Sequence, residues 1–259
     1  MASNSAIGMP AAAAAAAEAS CWCMDRRPTA PACTRWRAPS PPSASRSTHL
    51  TSAATGPSGR RGHIDRIGRL EADLADFVRL VQPPRPCTLV GFSSGGGFVL
   101  RVAASAAQQQ FERYLLLAPF LGERAPNQRA ASGGWVAIGM PRILALLLLN
   151  AVDVRWANAL PVIRFALDED MRARATAQYD FNLASNFRPP RDYTAAMRRV
   201  ERPCAILAGV NDEVFDNAQL ADIVRGAGKD WPVTLLPGID HIGLTVAPAA
   251  IAAVVAALA

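Results

Sequence analysis

The stretch Gly91-Phe92-Ser93-Ser94-Gly95-Gly96-Gly97 constrains this chain more than any other. Before it, Thr88-Leu-Val-Gly91 is short and apolar, as a buried strand should be; after it, Phe98-Val-Leu-Arg-Val-Ala103 reads as a helix. G-x-S-x-G between a strand and a helix sets the serine on a tight turn, where larger neighbours would collide across the bend. Ser93 fits that frame, whereas shifting it to Ser94 would need glycine where Phe92 stands. A glycine-rich turn can also cradle phosphate, but no Lys-Ser/Thr follows here. The context therefore favours an exposed serine nucleophile. The helix that starts at the turn would point its positive end at a developing oxyanion.

Other segments supply the rest of a parallel sheet. Tyr114-Leu-Leu-Leu-Ala118, Cys204-Ala-Ile-Leu-Ala-Gly209 and Val233-Thr-Leu-Leu-Pro237 read as strands, and Gln219 to Gly226 and Ala249 to Leu258 as helices. Leu70, Leu74, Phe77, Val78 and Val81 recur at helical spacing before Pro83-Pro. Short apolar strands alternating with helices imply an α/β domain with a mostly parallel sheet flanked by helices. The expected division is a core at 56–121 and 200–259, with a helical insert at 122–199 broken by Pro141 and Pro161. Residues 1–55 show neither periodicity, and their Ala/Pro/Ser-rich composition reads as linker or tail.

A serine nucleophile needs a base, and the base an orienting carboxylate. Of three histidines, His49 lies in the irregular segment and His63 in a polar Arg-Arg-Gly-His turn. His241 follows the last strand in Pro237-Gly-Ile-Asp-His-Ile-Gly243, and Asp212 follows the preceding strand in Gly209-Val-Asn-Asp212. A lone loop histidine is usually a solvated surface residue. The order Ser93, Asp212, His241 shifts that balance, because it is the order a strand-borne serine hydrolase site uses. Asp216 is the reserve acid, and Glu213 and Asp240 read as solvated.

On Gly-Phe-Ser-Ser-Gly-Gly, Gly-Val-Asn-Asp and Gly-Ile-Asp-His-Ile-Gly, residues 56–259 resemble the α/β-hydrolases, nearest the lysophospholipase, monoacylglycerol lipase and serine aminopeptidase-like branch. The resemblance implies a serine esterase acting on a small-molecule acyl ester, acylglycerol or lysophospholipid-like, through Ser93, His241 and Asp212 without a cofactor. It implies that the Ser94 backbone N–H is one oxyanion donor, and that the insert is a cap shaping an acyl pocket. Phe92, Trp135, Met140, Ile143, Leu147 and Phe165 are candidate pocket residues; ordinary core positions are the alternative reading for those of the cap.

The family pattern also has a strand ending in His-Gly, whose following loop gives the second oxyanion donor, and then Asp-Leu-Arg-Gly-His-Gly. Neither stands in residues 1–55. The codons of Cys21-Trp-Cys-Met-Asp25, read one base earlier, encode Leu-Val, then His or Tyr, then Gly; the same shift over His49 to Gly56 permits Pro-Asp-Leu-Arg-Gly-His-Gly. Residues 20–55 are thus read as a segment translated out of frame. The alternative function is a catalytically impaired remnant lacking the His-Gly loop.

Composition removes other classes. The net charge of +6 comes with a single lysine, Lys229, among 27 basic residues, and with 20 prolines. That bias matches GC-rich coding, and the scattered arginines form no stripe for nucleic acid. The five cysteines have neither zinc spacing nor a disulfide framework. Ile143 to Leu149 is too short to span a membrane, and the alanine-rich end after Pro248 is too short as well, although transient contact with a lipid surface is compatible with both. Ala11 to Ala17 lacks a positive n-region and makes a poor signal peptide, so a cytoplasmic location is expected.

Overall fold

The computed structural model describes residues 21–25, 46–50, 60–129, 136–166 and 176–258. Its main sheet has six strands in the order β2-β1-β3-β4-β8-β9. These are β1 (Cys21–Asp25), β2 (Arg46–Leu50), β3 (Thr88–Phe92), β4 (Arg113–Leu117), β8 (Cys204–Gly209) and β9 (Val233–Leu236). From β3 to β9 every pairing is parallel, with Gly91 opposite Leu116, Leu115 opposite Ala205 and Leu207 opposite Thr234. Parallel neighbours require crossovers, which cover both faces and explain why all of β3 is buried.

The helices are α1 (Arg69–Val81), α2 (Ser94–Ala103), α3 (Met140–Ala151), α4 (Phe181–Phe187), α5 (Tyr193–Arg199), α6 (Leu220–Gly226), α7 (Gly243–Val246) and α8 (Pro248–Leu258). Helix α1 buries Leu70 and Leu74 on the core, while Val81 is exposed in the last turn, off the apolar face assigned to it. Gln82 takes a left-handed conformation and ends the helix before the prolines are reached.

Within residues 1–55, read as irregular and from residue 20 as out of frame, the described stretches 21–25 and 46–50 are two strands. β1 pairs antiparallel with β3, Trp22 opposite Val90, and β2 pairs antiparallel with β1. The strand carrying Gly91 and Phe92 is therefore an interior strand of the sheet. Cys87 is disulfide-bonded, which cysteine spacing did not indicate, while Cys204 is a free buried thiol.

Between β4 and β8 the chain forms α3, α4 and α5 together with a three-stranded antiparallel sheet of β5 (Val136–Ile138), β6 (Pro161–Phe165) and β7 (Gln178–Asp180). Pro141 does not interrupt a helix; it sits in the first turn of α3, where its missing N–H would have no partner. Buried amides tie this region to the core. Asn158 exchanges hydrogen bonds with Asn150 and donates to Asn182 at 3.1 Å; Asn182 in turn donates to the carbonyls of Ile64 and Asp65. Beside them, His63 Nδ1 lies 2.6 Å from Asp180 Oδ2. Asp180 Oδ1 accepts the Leu183 N–H at 2.7 Å and so caps α4.

Candidate active site

Because β3, β8 and β9 run parallel, their carboxyl ends share one edge of the sheet, where such folds place ligands. Ser93 follows β3 directly, Asp212 follows β8 and His241 follows β9.

Ser93 has φ 53° and ψ −117°, a strained conformation for a residue with a side chain. Three hydrogen bonds hold it there. Its N–H donates to Leu117 O at 2.9 Å, and its carbonyl accepts from Phe120 N at 2.9 Å and Gly97 N at 3.2 Å. The bend also folds the chain back on itself: a Cβ on Gly91 would lie 2.3 Å from Gly95 O, so only glycine fits. Ser94 opens α2, where backbone N–H groups have no partner within the helix.

His241 Nε2 is 3.1 Å from Ser93 Oγ, and His241 Nδ1 is 2.8 Å from Asp212 Oδ2. Both His241 and Asp212 are only 2% exposed. The imidazole is wedged between the rings of Phe92 and Phe215, with centroids 4.8 and 5.3 Å away. Its backbone N–H donates to Glu213 Oε2 at 3.0 Å, so Glu213, exposed as expected, also holds the main chain of the histidine loop.

Asp212 is hydrogen-bonded at both oxygens. Oδ1 accepts from the backbone of Val214 and Phe215 at 2.8 Å each, while Oδ2 accepts from His241 and, at 2.9 Å, from Asn217 Nδ2. Burial pushes this carboxyl up, but the His241 hydrogen bond and charge, the Phe215 N–H and the Asn217 amide outweigh it. They leave the group below the ordinary carboxylate range. The reserve acid Asp216 is engaged elsewhere, its N–H on Asn127 O at 2.8 Å and its carboxylate on Gln219. Asp240 accepts the Gly243 N–H.

The acid and base loops also touch. Gly209, the last residue of β8, faces Ile239 O so closely that a Cβ there would lie 2.1 Å from it, and Asn211 N–H donates to the same oxygen at 3.0 Å. The Asp–His distance is therefore set by backbone contact as well as by the side chains.

Of the pocket candidates, Phe92 packs on His241. Ile143 instead joins Leu146, Ala157, Val162 and Phe181 in a separate small core, while Met140 and Leu147 are exposed and Phe165 stacks edge-on to Tyr179. Trp135 lies outside the described residues, as does the loop expected to follow a His-Gly strand end. Asn217 and Glu213 were not singled out from sequence as site residues. Their roles depend on where two loops meet, and no local pattern marks them. Among the described residues no group of three or more His, Cys, Asp or Glu could hold a metal ion, and no helix is long and apolar enough to cross a membrane. A hydroxyl, an imidazole and a buried carboxylate in line can pass the hydroxyl proton to the imidazole and stabilise the cation that results.

The family model for serine aminopeptidase, S33, matches residues 52–244. Among solved structures, the chain is similar to a soluble variant of monoglyceride lipase from Saccharomyces cerevisiae in complex with a substrate analog. That match has 17% identity and a TM-score of 0.59, and covers 83% of this chain and 75% of that one. It is similar also to a hydrolase from Pseudomonas aeruginosa, with 21% identity and a TM-score of 0.50, covering 83% of this chain and 78% of that one. No curated protein matches it in sequence.

Proposed function

Since the chain belongs to the serine aminopeptidase S33 family of the α/β-hydrolases, we propose that it is a serine hydrolase that cleaves acylglycerol or lysophospholipid-like carboxylic esters with a Ser93–His241–Asp212 triad. The observation that carries this reading is the continuous chain from Ser93 Oγ through both nitrogens of His241 to Asp212 Oδ2, at 3.1 and 2.8 Å.

In the proposed mechanism Ser93 Oγ attacks the ester carbonyl while its proton moves to His241 Nε2. The carbonyl oxygen becomes an oxyanion facing the Ser94 N–H. Collapse breaks the bond to the alcohol oxygen, which takes the proton from His241 and leaves. Water then repeats the sequence on the acyl-enzyme, releasing the carboxylic acid and restoring Ser93. Asp212 stays ionised, fixes the imidazole tautomer and stabilises the imidazolium. The acyl chain would lie against the insert at 122–199, which we assign as the cap.

A fluorophosphonate probe, read by intact mass, tests the reading. Wild-type chain should be labelled once and Ser93→Ala not at all. A folded wild type that stays unlabelled contradicts the proposal for this chain. Labelling gained when residues 20–55 are re-encoded one base earlier would then identify the impaired remnant and its missing loop.

A further inference from the structure

Asn217 does something that neither the motif nor the mechanism above requires. The residue is 3% exposed, and its Nδ2 donates twice: to Asp212 Oδ2 at 2.9 Å and to Gly209 O at 3.0 Å. Its Oδ1 is buried with no hydrogen-bond partner among the described residues. Leaving a buried amide oxygen unpaired is unfavourable, so the two donated bonds must offset that loss. They run to the atoms that define the acid's position: the end of the strand that carries it, and the carboxylate oxygen shared with His241.

Asp212 Oδ1 is already fixed by two backbone donors. That leaves the basicity of Oδ2 to be set by its two side-chain partners. An Asn217 N–H on that oxygen draws charge from it. The Asp–His bond is then weaker than a bare carboxylate would make it, so the pull of Asp212 on the imidazole depends on Asn217. The second bond, to Gly209, reaches the residue packed directly against Ile239 of the histidine loop. One amide thus joins the acid strand, the acid and the approach to the base.

We propose that Asn217 is a positioning residue that acts through Asp212, holding its Oδ2 toward His241 and tempering the bond between them. The proposal rests on the triad reading above. It gives the reaction a fourth participant that touches no substrate.

The groups facing Asp212 are the Val214 and Phe215 amides of its own loop, the Asn217 side chain and the His241 imidazole; Glu213 meets the His241 main chain and Asp216 is turned to Gln219. Of the groups that donate to the Asp212 carboxylate, only Asn217 can be changed without removing the base or the backbone.

The test compares wild type, Asn217→Leu and Asn217→Ser, each checked by circular dichroism and thermal unfolding. Asn217→Leu keeps the side-chain size and removes both donors; Asn217→Ser retains one. For Asn217→Leu, kcat on a nitrophenyl ester should fall about tenfold with KM unchanged, the size expected for losing a hydrogen bond to a charged group. The acid limb of its kcat/KM profile should move to higher pH, and Asn217→Ser should recover part of both effects. Histidine-labelled protein adds a readout that needs no turnover: the downfield Nδ1–H proton of His241 should shift in Asn217→Leu. A wild type with that resonance and a folded Asn217→Leu with an unmoved acid limb and unmoved resonance overturns the proposal alone. A folded wild type without the resonance overturns the proposal and the triad reading together. If Asn217→Leu does not fold, Asn217→Ser decides by the same two readouts.

Discussion

His241 and Asp212 meet at 2.8 Å on the sheet edge, and His63 and Asp180 meet at 2.6 Å between the turn before α1 and the end of β7. Both acids are deeply buried, yet the environment drives them in opposite directions. Asp212 accepts from two backbone amides, Asn217 and His241, and is held below the ordinary range. For Asp180 burial dominates, and the Leu183 N–H and His63 do not compensate, so its carboxyl is pushed up. The bases differ too. His241 has Ser93 Oγ at its second nitrogen and is 2% exposed, whereas the His63 side chain is 32% exposed. A histidine–carboxylate pair is therefore not a catalytic signature in itself. What distinguishes the two is the number of donors on the acid and the presence of a strained serine beyond the base.

Breaking each pair should separate these roles. Asp212→Asn should lower ester turnover by about 10⁴-fold while leaving Ser93 in place, and His63→Gln should be labelled by fluorophosphonate at the wild-type rate. Equal losses in both variants would erase the distinction. Next in size, Asp180→Ala should destabilise the fold by about 2–3 kcal/mol in urea titrations, since it removes a helix cap and a buried acceptor together.

The pH dependence should split as well. For Asp212 the folded value is depressed, so its contribution to stability is full above the unfolded value of about 3.9 and lost as pH falls through the folded value. For Asp180 the folded value is raised, so its contribution is full below about 3.9 and lost as pH rises through the folded value. Unfolding free energies of Asp212→Asn and Asp180→Asn, each compared with wild type across acid pH, should therefore diverge with opposite slopes. Parallel slopes would show that the two acids have similar surroundings after all. The smallest effect is expected for Glu213→Gln, which keeps an acceptor for the His241 N–H: turnover should change by less than about threefold.

Sequence alone located the proposed triad and missed the residues around it, for one physical reason. Ser93, Asp212 and His241 each follow a short apolar strand, so strand order and chain order locate them without any contact being known. Asn217, Glu213 and the His63–Asp180 pair depend on loops that meet across 5 to 117 positions of sequence separation, which periodicity does not record. The three strands of the insert were hidden similarly, because β5 and β7 have only three residues each and take their order from β6. At the other end, no alternation marks β1 or β2 in residues 1–55, and only the codons of Cys21 to Asp25, read one base earlier, pointed to a strand end there.

The close backbone approaches at Gly91 and Gly209 bear on how such a site can drift over generations. Any change at the first or second base of a glycine codon brings in a side chain or a stop, and at these two positions even a methyl group meets a carbonyl oxygen at 2.3 or 2.1 Å. No single-base missense step away from either codon avoids that collision. Whatever else varies, the two close approaches beside Ser93 and Asp212 are fixed at the level of the nucleotide.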